Sequence, residues 1–174
     1  MIKIYKLREL MKRMSKEKLS VLLFGFKCSR NRDSEHFLRK IAVKHEERDI
    51  SRTYLAMDFD ENNILGYFTL ALKCLNLKAS EVDAELAEML NLNNDIAQSY
   101  MIGQLARSDD AERGLGRDML HRALKNFSVG KKMFGCRTVR LDCKDELIGY
   151  YMSQGFIHIR KNPDRDLNQM ARFI

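Results

Sequence analysis

The stretch 101–120, MIGQLARSDDAERGLGRDML, constrains this 174-residue chain most: an apolar run, a charged turn, then two glycines opening an amphipathic helix. That order predicts a strand feeding an anion-binding turn. Backbone N–H groups at a helix start lack intrahelical acceptors, and the helix dipole adds positive character there. Arg113, Gly114, Leu115, Gly116 and Arg117, with Glu112 beside them, are therefore candidates to surround a pyrophosphate. Glycine lets a phosphate approach the main chain closely. Two well-known turns of this kind do not match. A Walker loop needs GxxxxGK[ST], a string the chain lacks; a dinucleotide fingerprint needs a third small residue where Met119 stands, in a first strand-helix unit rather than a late one.

A second segment lies downstream. Residues 138–160, TVRLDCKDELIGYYMSQGFIHIR, read as strand, helix, a tight turn at Gly155, then strand. Together the two segments resemble the GCN5-related N-acetyltransferases (GNAT). The glycine turn is similar to that family's acyl-CoA loop, usually [QR]xxGxG, with Ala111 standing where Gln or Arg is expected; residues 150–156, YYMSQGF, are similar to its FYxxxGF pattern. Upstream, FKCSRNRDSEHFLRKIA (26–42) and ISRTYLAMDFDENNILGYFTLAL (50–72) resemble the N-terminal half of GNAT proteins that act as toxins in toxin-antitoxin pairs. Residues 164–174 look like their last strand, so the likeness runs in order along most of the chain.

The resemblance implies an α/β (α+β) fold: one GNAT-like domain over residues 1–174, with a mixed, mostly antiparallel central sheet and helices on both faces. It implies acetyl-CoA as cosubstrate, held by residues 112–117 and by main-chain groups at the end of the preceding strand, Leu105, Ala106 and Arg107. The acceptor is a primary amine. Candidates are a small molecule, a protein amine and the α-amine of aminoacyl-tRNA, toward which the toxin-like half and the net charge lean. An antitoxin protein and a second copy of the chain are the protein partners expected. A different class stays open: a catalytically silent acyl-CoA or nucleic-acid binding module, in which Ala111 marks a decayed loop.

Amine acylation needs a neutral amine beside the thioester, donors at the carbonyl oxygen and a proton for the departing thiolate. Tyr151, at the second aromatic position of the family pattern, is the candidate proton donor, with Tyr150 as the alternative. A phenol of pKa about 10 is protonated at neutral pH and faces a thiol of about 8.5. No base stands out. Asp109, Asp110 and Glu112 read first as turn solvation and helix N-terminal charge, and an α-amine of pKa about 8 is partly neutral without help. Cys143 follows a strand, has no visible base partner, and reads as a structural thiol.

Composition sets the remaining bounds. A 45% hydrophobic content suffices for one core, and no apolar stretch approaches the roughly 20 residues that span a bilayer. The N-terminus has no signal-peptide pattern, so a cytoplasmic location is expected. Four cysteines without CxxC spacing and four histidines without HExxH give no metal motif; Cys74 and Cys143, inside apolar runs, read as buried reduced thiols. The net charge of +7 favours polyanions, with basic clusters at 3–18, 27–32 and 160–165. A solvated face and a nucleic-acid surface are both compatible with them.

Hydrophobic periodicity predicts a short edge strand at Ile2 and Ile4, then a helical region through Leu23. It continues with a helix capped by Asp33 or Ser34, strands 53–59 and 64–77 around a turn at 60–63, and a short helix to Leu90 with a capping box from Ser80 to Asp83. Strand 98–107, helix 115–127, strand 138–142, helix 145–153 and strands 156–160 and 168–173 complete the order.

Overall fold

A computed structural model describes residues 2–58 and 62–174. In chain order these form β1 (Ile2–Lys6), α1 (Leu7–Arg13), α2 (Lys16–Gly25), α3 (Arg32–His36), a π turn (Phe37–Ile41), α4 (Ala42–Glu47), β2 (Arg52–Asp58) and β3 (Asn63–Leu72). Then come β4 (Leu75–Asn76), α5 (Ala84–Met89), β5 (Ile96–Ala97), β6 (Tyr100–Arg107) and α6 (Leu115–Phe134). The order closes with β7 (Thr138–Cys143), α7 (Ile148–Ser153), β8 (Ile157–Lys161) and β9 (Asn168–Phe173). Of the expected strand 53–59 and turn 60–63, Phe59, Asp60 and Glu61 lie outside the described residues.

The main sheet has the order β1-β2-β3-β6-β7-β9-β8, and β4-β5 form a separate ribbon. Ladders β1–β2, β2–β3, β7–β9 and β8–β9 are antiparallel, and β6–β7 is parallel. This is the mixed, mostly antiparallel sheet expected. The chain divides into two compact units, Met1–Ala71 with Gly103–Ala123, and Leu72–Ile102 with Leu124–Ile174.

In the first unit the expected continuous helix breaks at Met14, which is extended, because Ser15 caps a new helix by accepting the Lys18 N–H. Leu7, Leu10, Leu19, Leu22 and Leu23 of the two helices pack with Phe26, Leu38, Leu55 and Tyr67 in one buried cluster. Asn31, rather than Asp33 or Ser34, caps α3, accepting the Ser34 N–H at 3.1 Å. Gly66 is required where β3 passes its neighbours. A Cβ there would stand 3.0 Å from the Ala106 carbonyl oxygen and 2.8 Å from Met119 Cε.

In the second unit the expected strand 64–77 stops after Leu72. Lys73 N–H donates to the Ser99 carbonyl and Ser99 Oγ to the Lys73 carbonyl, so the chain turns away before resuming as β4. Cys74 sits at that break and is exposed, contrary to the buried thiol expected; Cys28 and Cys143 are buried. The expected box from Ser80 to Asp83 is replaced by Glu81, which accepts the Lys78 N–H at 2.8 Å and donates its own N–H to the Lys78 carbonyl at 2.9 Å, and Asp83 caps α5 on its own. α6 runs to Phe134, seven residues beyond the expected end at Phe127, and Gly135, at φ +78°, closes it by donating to Lys131 O. No helix among the described residues is long and apolar enough to cross a membrane.

Candidate active site

The glycine loop belongs to the first unit. After β6, Ser108 N–H donates to Leu65 O at 2.8 Å and Ala111 N–H to Ser108 O at 3.3 Å, folding the charged turn onto itself. Arg107 Nη1 closes it by donating to the Ala111 carbonyl at 2.8 Å. Ala111 is buried and packs, so no polar side chain is needed at that position to hold the turn. Gly114 has φ +101°, a left-handed conformation that L side chains rarely adopt, and its carbonyl accepts the Arg117 and Asp118 N–H groups at 2.9 and 3.2 Å.

Among the described residues the N–H groups of Arg113, Gly114, Leu115 and Gly116 have no acceptor in the protein. A Cβ on Gly114 or Gly116 would meet nothing within 4 Å, so the main chain there faces open space. Arg113 and Arg117 are exposed beside it, as is Glu112; the Leu115 side chain is buried, leaving its N–H as its contribution. Unpaired donors, the positive end of a 20-residue helix, two guanidinium groups and open space fit a diphosphate. Upstream, the parallel ladder of β6 with β7 consists of Tyr100↔Val139 and Met101↔Arg140; Leu105, Ala106 and Arg107 lie beyond its end.

The acids of this turn have other work. Asp109 accepts the Ser29 N–H at 3.0 and 3.1 Å and the Ser29 hydroxyl at 2.9 Å, bonds that hold its carboxyl below the usual range. It tethers the turn and is not available as a base. Asp110 and Glu112 are exposed at the helix start.

Tyr151 belongs to the second unit. A 3-10 turn, Asp145–Leu147, leads into α7, and the Tyr151 carbonyl accepts the Phe156 N–H at 3.1 Å across the turn at Gly155, φ +79°. The Tyr151 ring is buried, edge-on to Phe156 at 5.7 Å and to Tyr150 at 5.1 Å. Burial first, then Tyr150 and Cys143, push its phenol well above the ordinary tyrosine range, so it keeps its proton throughout the physiological range. Tyr150 is 36% exposed. Burial, then Asp142, Asp145 and Glu146, push the Cys143 thiol up to about 11, which leaves it protonated and unsuited to attack.

Sequence reasoning missed Asn168. Buried on β9, it donates from Nδ2 to Asp145 Oδ1 at 2.6 Å and pairs through Oδ1 with His158 Nε2 at 3.0 Å, anchoring the turn that opens α7. Nothing local marks it, because both partners are distant in sequence. A cavity of about 450 Å³ lined by Asn91, Asn94, Gln98, Cys136 and Arg137 contains none of the predicted site residues. Among the described residues no group of three His, Cys, Asp or Glu side chains is placed to hold a metal ion.

The chain matches no protein-family model and no curated protein sequence. Solved structures do match. A structure described as a bacterial toxin has a TM-score of 0.78 at 16% identity, covering 100% of this chain and 90% of its own. AtaT complexed with acetyl-methionyl-tRNAfMet has a TM-score of 0.77 at 18% identity, covering 99% and 95%. A tyrosine-to-phenylalanine mutant of KacT has a TM-score of 0.75 at 17% identity, covering 98% and 94%. Along its whole length, the chain therefore has the fold of the GNAT toxins that its sequence resembles.

Proposed function

We propose that the protein is an acetyl-CoA-dependent N-acetyltransferase whose acceptor is the α-amine of an aminoacyl-tRNA. The observation that carries the first half is the open, electropositive start of α6: four N–H groups without acceptors among the described residues, flanked by Arg113 and Arg117. Acetyl-CoA supplies the acyl group as a thioester. In this reading residues 112–117 hold its diphosphate, and main-chain groups of Leu105, Ala106 and Arg107 bind the pantetheine arm and orient the carbonyl.

The neutral amine attacks the thioester carbonyl directly. A C–N bond forms, the C–S bond breaks, and the Tyr151 hydroxyl gives its proton to the departing sulfur. The phenolate is then reprotonated by the proton that the new amide nitrogen sheds. An α-amine of pKa about 8 needs little help to be neutral, so this reading asks for no base from the turn, where Asp109 is bonded to Ser29.

Support for the acceptor comes from the +7 charge and from fold neighbours: AtaT is complexed with acetyl-methionyl-tRNAfMet, and AtaTR is bound with AcCoA. AtaT has also been solved with the antitoxin AtaR, so an antitoxin is the partner protein we assign. Incubating the purified protein with acetyl-CoA and either aminoacyl-tRNA or a panel of small amines tests the reading. Acetylation of the tRNA-borne amine supports it; acetylation of small amines alone moves the acceptor; no thioester cleavage leaves a binding module.

A further inference from the structure

The turn 26–31 joins α2 to α3, and with the first residue of α3 it carries Lys27, Arg30 and Arg32, all exposed. Surface turns are ordinarily the mobile parts of a fold. This one is held from several directions. Cys28 N–H donates to the buried Glu35 at 2.7 Å, Asn31 N–H donates to Cys28 O at 3.1 Å, and Ser29 bonds Asp109 through both its N–H and its hydroxyl. Asp109 N–H returns a bond to Lys27 O at 3.0 Å. The cationic turn is thus fastened to the same loop that leads into Gly114 and Gly116.

Asp109 stands close enough to Arg30 and Arg32 for their charges to act on it, without a direct ion pair among the described residues. Asp109 is taken by Ser29, and Glu35 by the Cys28 N–H and by Arg39 at 2.6 Å. Arg32 reaches Glu35 only at 3.5 Å with its side chain 76% exposed, and among the described residues no carboxylate pairs with Lys27 or Arg30. The turn thus presents three exposed cations of which, among the described residues, only Arg32 is in a direct ion pair, a surface that favours a polyanion. The held backbone keeps the two arginines on one turn, and each guanidinium can contact phosphate in a forked geometry.

We infer that Arg30 and Arg32 bind the sugar-phosphate backbone of the acceptor nucleic acid, and that Asp109 positions them by holding Ser29. This rests on the aminoacyl-tRNA reading above. A nucleic acid suits them better than the diphosphate of acetyl-CoA, because the start of α6 supplies its own donors and its own two arginines. Such contacts add affinity without reading sequence.

The test is fluorescence anisotropy of labelled tRNA against the full chain at several salt concentrations, for the wild type, Arg30→Glu with Arg32→Glu, and Lys125→Glu with Lys132→Glu, two exposed lysines reversed as a control of equal net charge. Acetyl-CoA binding is read in parallel as a rise in Tm. The expected result is at least a tenfold loss of tRNA affinity in the double variant, with the slope of log K against log salt shallower by about two, near 0.9 for each phosphate that is no longer neutralised. The Tm shift with acetyl-CoA stays. Unchanged tRNA binding, an equal loss in Lys125→Glu with Lys132→Glu, or disappearance of the Tm shift would each overturn the inference, the last by moving the turn into the acetyl-CoA site. Acetylation of aminoacyl-tRNA by the wild type judges the underlying reading separately. If the wild type acetylates and the double variant does so equally well, only the inference fails. If tRNA binding is lost in the double variant but the wild type never acetylates, only the reading fails, and a wild type that binds no tRNA sinks both.

Discussion

Arg107 donates from Nη1 to the main-chain carbonyl of Ala111 at 2.8 Å, closing the charged turn from its own strand. The departure at Ala111 from the Gln or Arg of the family loop is thereby accounted for: residue 111 is buried, and Arg107 does the tying. A hydrogen bond from a charged donor contributes about 1.5–3 kcal/mol. Arg107→Ala should therefore weaken acetyl-CoA binding by roughly tenfold or more while the chain still folds. Isothermal titration measures this, and affinity equal to wild type would show that the turn holds its shape unaided.

Gly116→Val should separate binding from folding. A Cβ at Gly116 meets nothing in the protein, so the apo Tm should move little, while the side chain fills the space assigned to the diphosphate. The rise in Tm that acetyl-CoA gives the wild type, expected from its selectivity for the folded state, should vanish. A shift as large as wild type would remove the glycine loop from the binding site.

Tyr151→Phe should keep acetyl-CoA binding and lose turnover by about a hundredfold or more, the usual scale for a positioned acid. Loss in Tyr150→Phe instead would move the assignment by one residue.

The pH dependence follows from two groups with opposite demands. The acceptor amine must be neutral, so the rate should rise with pH, reach half its maximum near about 8 and level off about a unit higher, whereas Tyr151 must be protonated and its pKa is raised by burial. No fall should appear up to about pH 10, the ordinary tyrosine value. A rate that declines between pH 8 and 9 would contradict a buried, protonated donor.

The glycine turn and the strand order of the second half are legible in the sequence because both are local patterns: apolar alternation, then glycines at a helix start. The true end of α6 is not. Ser128 and Gly130 look like breakers, yet Ser128 Oγ bonds back to Leu124 O at 3.0 Å, and Gly130 leaves room for Tyr100, whose hydroxyl a Cβ would approach to 3.2 Å. The break after Leu72 is hidden for a similar reason, since it depends on Ser99, distant in sequence. Asp109 reads as turn solvation because its partner, Ser29, lies 80 positions away. Ser15 is different: its cap signal is visible in the sequence, and the hydrophobic periodicity running through it masks the break.

Thiol labelling checks the corrected burial. Cys74 should react fastest, Cys136 next, and Cys28 and Cys143 should stay protected until unfolding, with burial raising the pKa of both. Mass spectrometry of the timed adducts reads the order, and early labelling of Cys143 would contradict its buried position.

The most direct measurement is mass spectrometry of tRNA and protein fractions after incubation of the protein with isotopically labelled acetyl-CoA. The expected result is label on aminoacyl-tRNA, recovered as an N-acetyl amino acid when the ester is hydrolysed, and absent with Tyr151→Phe. Label confined to protein or small amines, or none at all while acetyl-CoA still raises the Tm, would contradict aminoacyl-tRNA as the acceptor.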